Sequence, residues 1–274
     1  AIILPFILLF MSSITDENTL VANGYSFFPK KFSLASYSYI IKSGGQILKA
    51  YGVSIGVTVV GTLLNVLLSA LMAYPLSVKN LPGRNVMMFF VFFTMLFNGG
   101  IVPSYIMWTG TFHIKDTIFA QLLPNFLLSA WNVMMIRTYF TTSIPDGLYE
   151  AAEIDGASQF TIFWKIVLPL GKPILVTMGT FAGLAYWNDW TNGLYYIVKN
   201  TGLYNVQNLL NQMVQNIQFL TQSSNSNVTA AASTIPATGI QMAIAFVAIL
   251  PIMLIFPSFQ KYYAKGIALG AVKG

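Results

Sequence analysis

Cysteine is absent from the sequence, and histidine occurs only once, at His113. The chain therefore has no means of forming a disulfide, a thiolate metal site or a cysteine nucleophile. One histidine supplies too few ligands for a metal centre, so no metal site is expected. The sequence also lacks a G-x-x-x-x-G-K-[ST] loop, which excludes ATP hydrolysis by this chain alone. These absences predict a protein without catalytic residues and without a cofactor of its own.

Charge is equally scarce. Charged residues make up 8% of the 274 positions and hydrophobic residues 55%, with a mean hydropathy of +0.66. An average soluble domain carries about 25% charged residues, so this composition indicates an integral membrane protein. The net charge of +6 comes from singly scattered basic residues. That distribution suits membrane topology and lipid headgroups better than a nucleic-acid partner.

Charged residues divide the chain into apolar stretches, most of them near the roughly 20 residues that a membrane helix needs. The stretches are Ala50–Val78, Asn85–Ile114, Thr117–Ile136, Pro173–Asn188 and Ile240–Phe259. The opening run AIILPFILLF is too short to span, and we expect it to end a first helix whose beginning is missing. The sequence thus predicts an all-α integral membrane protein. One transmembrane domain, residues 1–274, would contain six spanning helices, the first of them incomplete.

Basic residues in short loops indicate the cytoplasmic side of such a protein. Six alternating spans place the link VKNLPGR, the loop after the fourth span and the C-terminal tail on one side, which we assign to the cytoplasm. The basic residues of that side are Lys79, Arg84, Arg137, Lys165, Lys172, Lys261, Lys265 and Lys273. The opposite side holds Lys30, Lys31, Lys42, Lys49, Lys115 and Lys199, mostly in longer loops where the rule has little force.

Two segments predicted on the outer side are long, from Ser13 to about Lys49 and from Ile197 to about Ala237. The second begins with GLYNVQNLLNQMVQNIQFL, whose spacing of Leu and Met predicts an amphipathic helix. Such a helix could cover its neighbours or offer a docking surface to a soluble partner. The polar stretch TQSSNSNVTAAASTIPATG that follows is predicted to be a loop.

The stretch EAAEIDGASQFTIFWKIVLP, residues 150–169, gathers three of the eight acidic side chains within six positions. Pro145 and Asp146 before it suit the first turn of a short helix. Gly156 allows the backbone to turn where a Cβ would obstruct it, and Pro169 is expected to begin the next membrane helix. The stretch predicts a helix, a break and a second helix in the cytoplasmic loop between the fourth and fifth spans.

This stretch also contains E-A-A, three residues, G, nine residues, I, any residue and L-P. That pattern resembles the cytoplasmic loop signature of bacterial ABC importer permeases, and both gaps have the right length. The matching residues are Glu150, Ala151, Ala152, Gly156, Ile166, Leu168 and Pro169. The chain is therefore similar to the membrane subunits of ATP-driven importers along essentially its whole length.

The resemblance implies the type I ABC importer permease fold, with a coupling helix in a cytoplasmic loop at residues 138–169. In that family the coupling helix is seated in a cleft of a separate ATPase subunit. Glu150 would pair with a basic residue there, Asp155 belongs to the same loop, and Gly156 would permit the bend. The tail, residues 261–274, would reach toward the ATPases, which bind the ATP and Mg²⁺. The implied partners are a second homologous permease, two ATPases and an extracellular solute-binding protein.

Other stretches resemble one branch of that family. IPDGLYEAAEIDGAS is similar to loops of the carbohydrate-uptake branch, the maltose-transporter type. GYSFFPKKFSLASY and VFFTMLFNGGIVPSY further resemble permeases for oligosaccharides and polysaccharide fragments in Gram-positive bacteria. The resemblance therefore implies a multi-pass protein of the plasma membrane of a Gram-positive bacterium. It also implies that the protein imports an oligosaccharide by alternating access.

Aromatic and polar side chains cluster near the outer end of the fifth predicted span, where they could meet a sugar. An acidic residue at membrane depth indicates a functional site, and a buried amide needs partners, which makes Asn188 the best single candidate. The substrate-path candidates are Tyr186, Trp187, Asn188, Asp189, Trp190 and Asn192, followed by Asn98, Asn125 and Asn132 on the third and fourth spans. The alternatives are an interfacial aromatic belt and helix–helix hydrogen bonds.

Two G-x-x-x-G pairs, Gly52 with Gly56 and Gly179 with Gly183, predict close helix packing. A proton- or sodium-coupled carrier is disfavoured because the central parts of the spans contain no ionisable residue. A membrane-embedded enzyme is disfavoured because the spans contain no acidic pair. The alternative that stays open is an ABC permease for a solute other than a sugar.

Overall fold

A computed structural model describes residues 3–42, 44–222 and 236–271, and regular structure in these ranges is almost entirely helical. The helices are α1 (Leu4–Ser13), α2 (Glu17–Asn23), α3 (Ala35–Lys42), α4 (Gly44–Ser77), α5 (Arg84–Leu96), α6 (Ile101–Ile106), α7 (Phe119–Leu122), α8 (Ala130–Ser143), α9 (Asp146–Ile154), α10 (Gln159–Ile162), α11 (Leu168–Leu170), α12 (Lys172–Asn188), α13 (Thr191–Tyr196), α14 (Val206–Gln222) and α15 (Ala237–Ala271). Two π-helical turns, Met107–Thr111 after α6 and Phe163–Val167 after α10, continue those helices. The all-α prediction is confirmed.

Within the described residues, two helices are long and apolar enough to cross a membrane. They are α4 and the Ala237–Leu254 part of α15. Two bent pairs, Arg84–Leu96 with Ile101–Thr111 and Gln159–Leu170 with Lys172–Asn188, raise the number to four if each pair forms one span. α1 is a shorter apolar helix. The total of six spans therefore remains a prediction.

The third predicted span, Asn85–Ile114, is bent. Its two halves meet at 108° across the break that follows Leu96. Gly100 takes a φ of +85° in this break, and its amide donates to Asn98 Oδ1 at 2.8 Å. An Asn-Gly-Gly sequence favours such a turn because glycine adopts positive φ without steric cost.

The fourth predicted span, Thr117–Ile136, was wrong as a continuous helix. α7 ends at Leu122, a non-helical segment follows, and α8 begins only at Ala130. Pro124 and the positive φ of Asn125, +66°, account for the break, because neither fits inside a regular helix. α8 then continues to Ser143, so the predicted boundary at Arg137 lies inside a helix.

The expectation that Pro169 begins the fifth membrane helix was also wrong. Pro169 lies in the last turn of the Gln159–Leu170 segment, and α12 starts at Lys172 after a 79° bend. Pro173 occupies the first turn of α12, where its missing N–H costs nothing. The second proline of LPLGKP, and not the first, therefore starts this membrane helix.

The chain divides into two compact units, and the first comprises the described parts of Ala1–Ser54 and Asn200–Phe256. The predicted amphipathic helix is confirmed as α14. Its apolar side packs into a core with residues of α3, α4 and α15, and the buried members from α14 are Val206, Leu209, Leu210 and Ile217. The apolar face of α14 thus covers its neighbours. The polar stretch TQSSNSNVTAAASTIPATG lies mostly outside the described residues.

Glu17 fixes the start of α15 in this unit. Its carboxylate accepts from the backbone amides of Thr238 and Gly239, both at 2.8 Å. A negative charge at a helix N-terminus satisfies amides that have no partner inside the helix. A Cβ at Gly239 would lie 2.5 Å from Ser36 Oγ, so the Ser36 hydroxyl would have to move if this residue carried a side chain.

The second unit comprises Ile55–Lys199 and the described part of Pro257–Gly274. α12 packs on α4 as the Gly179–Gly183 pair predicts, since a Cβ on either glycine would press against Val66 or Thr62. Gly61 on α4 is tighter still, because a Cβ there would overlap the Tyr186 ring. The Gly52–Gly56 prediction is not met, since no described atom lies within 4 Å of a Cβ at either position.

Candidate functional site

The predicted break between two short helices in the loop after α8 is confirmed. α9 begins at Asp146 behind Pro145 and ends at Ile154, and Gly156 follows with a φ of +75°. The Ala157 amide bonds the Ala152 carbonyl at 2.9 Å, and the Gly156 amide bonds that of Glu153 at 3.0 Å. This pair of bonds is a Schellman motif, which needs a left-handed residue where Gly156 stands. The left-handed backbone conformation at this position therefore accounts for the glycine.

α9 carries the E-A-A part of the signature and presents two of its three residues to solvent. Glu150, Ala151 and Asp155 are exposed, whereas Ala152 is buried and faces the second unit's core. Ile154 leaves 87% of its surface exposed beside these carboxylates. An exposed apolar side chain next to acidic groups is suited to insertion into a partner's cleft. Ile154 was not among the predicted site residues, although its place beside the E-A-A motif was visible in the sequence.

The second half of the loop enters the core. Ser158 caps α10 by accepting from the Thr161 amide at 3.3 Å. Ile162, Phe163 and Val167 are almost fully buried. The remaining signature residues lie in this half: Ile166 and Leu168 are half-buried against the core, and Pro169 is exposed. The loop therefore has an exposed head, α9, and a stem that is anchored in the core by Ile162, Phe163 and Val167.

One hydrogen bond from α4 and one ion pair from the residues just beyond it join this helix to the loop, and a further hydrogen bond within the loop extends the first contact to α9. The Tyr74 hydroxyl donates to Gln159 Oε1 at 2.5 Å, and Gln159 Nε2 donates to Glu153 Oε1 at 3.0 Å. Lys79, just beyond α4, forms an exposed ion pair with Asp146 at the start of α9. Tyr74 and Gln159 were missed by sequence reasoning, because 85 positions separate them and neither belongs to a motif.

An aromatic cluster lies behind these contacts. The Tyr74 ring is 5.5 Å from that of Phe163 and 6.3 Å from that of Tyr149, measured between centroids. Burial raises the pKa of the Tyr149 phenol above its usual value. The end of α4 is thus hydrogen-bonded to the stem of the loop and packed against α9.

At the far end of α12, Asp189 has a structural role. Its carboxylate is 5% exposed, and Oδ1 accepts from the Thr191 hydroxyl at 2.7 Å and from the Thr191 and Asn192 amides at 3.0 and 3.3 Å. These bonds cap the start of α13. The acidic residue predicted for the substrate path therefore fixes the turn between α12 and α13.

Several other residues predicted for the substrate path form hydrogen bonds that stabilise the non-helical segment between α7 and α8. Non-helical backbone at membrane depth must find hydrogen-bond partners within the protein. Three carbonyls of the break receive side-chain donors: Leu122 from Tyr186 at 2.8 Å, Pro124 from Asn192 at 3.1 Å and Phe126 from Asn65 at 2.6 Å. Asn132 donates to Asn65 Oδ1 at 2.7 Å, and Asn125 donates to Asn192 Oδ1 at 3.2 Å.

The predicted path residues thus fall into two groups. Tyr186, Trp187, Asp189, Asn192 and Asn132 are buried. Asn188, Trp190, Asn98 and Asn125 are exposed, and Asn188 and Trp190 lie at and just beyond the last residue of α12. Asn65 was missed, because an asparagine in the middle of a long apolar helix gave no sign of the break that it supports. Only the exposed group can meet a solute without rearrangement of the core.

Comparison with known proteins identifies this architecture. Residues 51–269 match the family described as binding-protein-dependent transport system inner membrane component. The crystal structure of a bacterial ABC transporter involved in the import of the acidic polysaccharide alginate contains a similar chain. That chain shares 26% of its sequence with this one, with a TM-score of 0.80 over 96% of this chain and 91% of the other.

Curated relatives are similar to this chain over nearly its full length. Protein LplC of Bacillus subtilis is 36% identical over 99% of this chain and 90% of its own. The polygalacturonan/rhamnogalacturonan transport system permease protein YtcP of the same species is 37% identical over 99% of this chain and 93% of its own. The chain belongs to the inner membrane component family of binding-protein-dependent transport systems, and it is a non-catalytic permease subunit of an ABC transporter.

Proposed function

We propose that the chain imports an oligosaccharide or polysaccharide fragment, as one of two permease subunits in a Gram-positive plasma membrane. The observation that carries the substrate class is similarity along the whole chain. YtcP, named for polygalacturonan and rhamnogalacturonan transport, and the alginate importer both align over more than nine-tenths of this chain. An arabinooligosaccharide permease protein of Halalkalibacterium halodurans is 27% identical over 99% of it. Several relatives along the full length are thus named for polymeric sugars.

The complex that we propose contains a second homologous permease, two ATPases that bind ATP and Mg²⁺, and an extracellular binding protein. α9 is the element that the ATPase grips. Its exposed Glu150 and Asp155 offer charge to basic residues of the ATPase, Ala151 permits close approach, and the Gly156 turn fixes the angle of the head. The sequence motif and the exposed head support this assignment together.

Closure of the ATPases moves α9, and the loop transmits the motion along two routes. The stem, anchored by buried Phe163 and Val167 and ending with Ile166, Leu168 and Pro169, leads directly into α12. The Tyr74–Gln159–Glu153 bonds and the Lys79–Asp146 pair lead into α4. Because α4 and α12 also pack through Gly179 and Gly183, a push on α9 reaches both helices at once. Such a concerted movement suits alternating access.

Asn188 and Trp190 at the outer end of α12 are our candidates for contact with the sugar, with Asn98 on the bent third span. An amide replaces water at sugar hydroxyls, and an indole ring offers a flat apolar face. Tyr186, Trp187, Asp189, Asn192 and Asn132 support the same region from within.

The test is substrate-stimulated ATP hydrolysis by the whole complex, purified through a tag on this chain and reconstituted with its binding protein. The solutes are fragments of polygalacturonan, rhamnogalacturonan, arabinan and alginate, with maltodextrins, amino acids and glycine betaine as comparisons. We expect at least one sugar fragment to stimulate hydrolysis and uptake, and the non-sugars to have no effect. Stimulation by a non-sugar alone would replace the substrate assignment and leave the permease assignment intact.

A further inference from the structure

An apolar groove of about 540 Å³ runs between α4, α5 and α8 in the second unit. Its walls include Met72 and Leu76 from α4, Met87 and Phe90 from α5, and Leu128 and Val133 at the start of α8. Met72, Met87, Phe90 and Leu128 are each more than a third exposed. The groove has the volume of an ordinary ligand site and opens on the surface of a protein that lies in lipid.

Two arginines stand at one end of this groove. Arg84 precedes the lining residue Met87 by three positions, and Arg137 follows the lining residue Val133 by four, so each shares a helix face with a wall of the groove. Arg137 Nε donates to the carbonyl of Leu76, a third lining residue, at 3.2 Å. Arg84 is the first residue of α5, which supplies another wall of the groove. The groove therefore has a cationic end and an apolar body.

Neither arginine has an acidic partner among the described residues, where the ion pairs are Lys31–Asp16 and Lys79–Asp146. Two cations at the same end of an apolar groove are stabilised by an anion that binds between them. Topology accounts for basic residues on this side of the membrane, but it does not require two of them to share one end of a groove. The placement calls for a ligand with a negative head and a long apolar tail.

We propose that this groove binds an anionic phospholipid, with the phosphate between Arg84 and Arg137 and an acyl chain along the apolar walls. A basic pocket between membrane helices, on the side assigned to the cytoplasm, has the chemistry that recognises such headgroups. Met72 and Met87 adapt to a flexible chain because their side chains are unbranched. The lipid would bridge α4, α5 and α8 beside the coupling loop.

The test is native mass spectrometry of the intact complex in mixed phosphatidylglycerol and phosphatidylethanolamine. Retained phosphatidylglycerol should fall about fivefold for Arg84→Gln and for Arg137→Gln, and further for the double variant. Lys165→Gln, the same charge change on an exposed residue outside the groove, should retain it. Met87→Trp keeps the charge but fills the groove, and should release lipid of either headgroup. Equal retention by the double variant, or no preference for phosphatidylglycerol, contradicts the proposal.

A photoreactive phenylalanine analogue at Leu128 separates lipid from protein as the occupant. We expect an adduct with the mass of a phospholipid. An adduct with the second permease would show that a partner helix fills the groove, and would overturn the lipid assignment. Uptake of sugar by the wild-type complex does not depend on either result, so the proposed function is tested separately.

Discussion

The Tyr74 hydroxyl donates to Gln159 Oε1 at 2.5 Å, and this bond joins α4 to the loop that carries α9. The other end of the Gln159 amide donates to Glu153, within α9 itself. One side chain thus connects a long membrane helix to the element that we propose the ATPase grips. The contact offers α4 a direct mechanical link to the ATPase that bypasses α12.

Tyr74→Phe removes only the hydroxyl and should loosen this link. A hydrogen bond of about 1 kcal/mol sets the scale, so the ratio of sugar imported to ATP hydrolysed should fall roughly two- to fivefold. The measurement is uptake and ATPase activity of reconstituted complexes in the same vesicles. Tyr139→Phe is the control, since the Tyr139 hydroxyl makes no hydrogen bond to a described residue. An unchanged ratio in Tyr74→Phe would show that α4 receives its motion by another route.

Gly156→Ala should impair coupling by straining the turn after α9. The φ of +75° costs an L-residue with a Cβ roughly 1–2 kcal/mol, and relief of that strain would change the angle of the head. We expect lower substrate-stimulated ATPase activity with assembly and membrane insertion preserved. Gly147→Ala, inside α9 with open space around its Cβ, is the matched control and should be neutral. Equal activity of the two variants would contradict the role of the turn.

Asn192→Leu should destabilise the protein, because it leaves the Pro124 carbonyl of the α7–α8 break without its donor. The expected loss is about 1–2 kcal/mol of unfolding free energy, seen as a lower thermal midpoint of the detergent-solubilised complex. Asn188→Leu makes the same chemical change at an exposed position four residues earlier and should shift the midpoint little. A midpoint equal to that of the wild type would mean that the break does not depend on this bond.

Asn188→Ala should reduce transport while the complex assembles normally. The exposed amide is our first candidate for contact with sugar hydroxyls, and its loss should lower the initial uptake rate about tenfold. Uptake of the labelled oligosaccharide identified in the ATPase screen provides the measurement. Asn85→Ala controls for the loss of a surface amide. Asn85 is exposed near the start of α5, on the side assigned to the cytoplasm. Wild-type uptake by Asn188→Ala would remove this residue from the substrate path.

The first helix and the break of the loop after α8 could be predicted from the sequence, because both are set by local residues. Asp146 after Pro145, and Gly156 ten residues later, set the start and the end of α9 through capping and backbone conformation alone. The Tyr74–Gln159 bond is different, because it depends on which turn of α4 faces the loop. Neither segment contains a local sequence signal that indicates which turn of α4 faces the loop.

In the fourth predicted span, a local signal was present in the sequence and was given too little weight. Pro124 and Asn125 form a strong break signal, but the length of the uncharged stretch outweighed it in our prediction. Asn65 and Asn192, the residues that make the break tolerable, lie on other helices and could be paired with it only in three dimensions. The same holds for Gly61, whose missing side chain makes room for the Tyr186 ring.

The central claim is that α9 sits in the ATPase, and a photoreactive phenylalanine analogue at Ile154 tests it most directly. This side chain is 87% exposed beside Glu150 and Asp155. Irradiation of the whole complex, purified through a tag on this chain, should give an adduct with the ATPase subunit. The same analogue at Phe28, 88% exposed in the segment assigned to the outer side, should give none. An Ile154 variant that retains its ATPase but cross-links only to lipid would contradict the account.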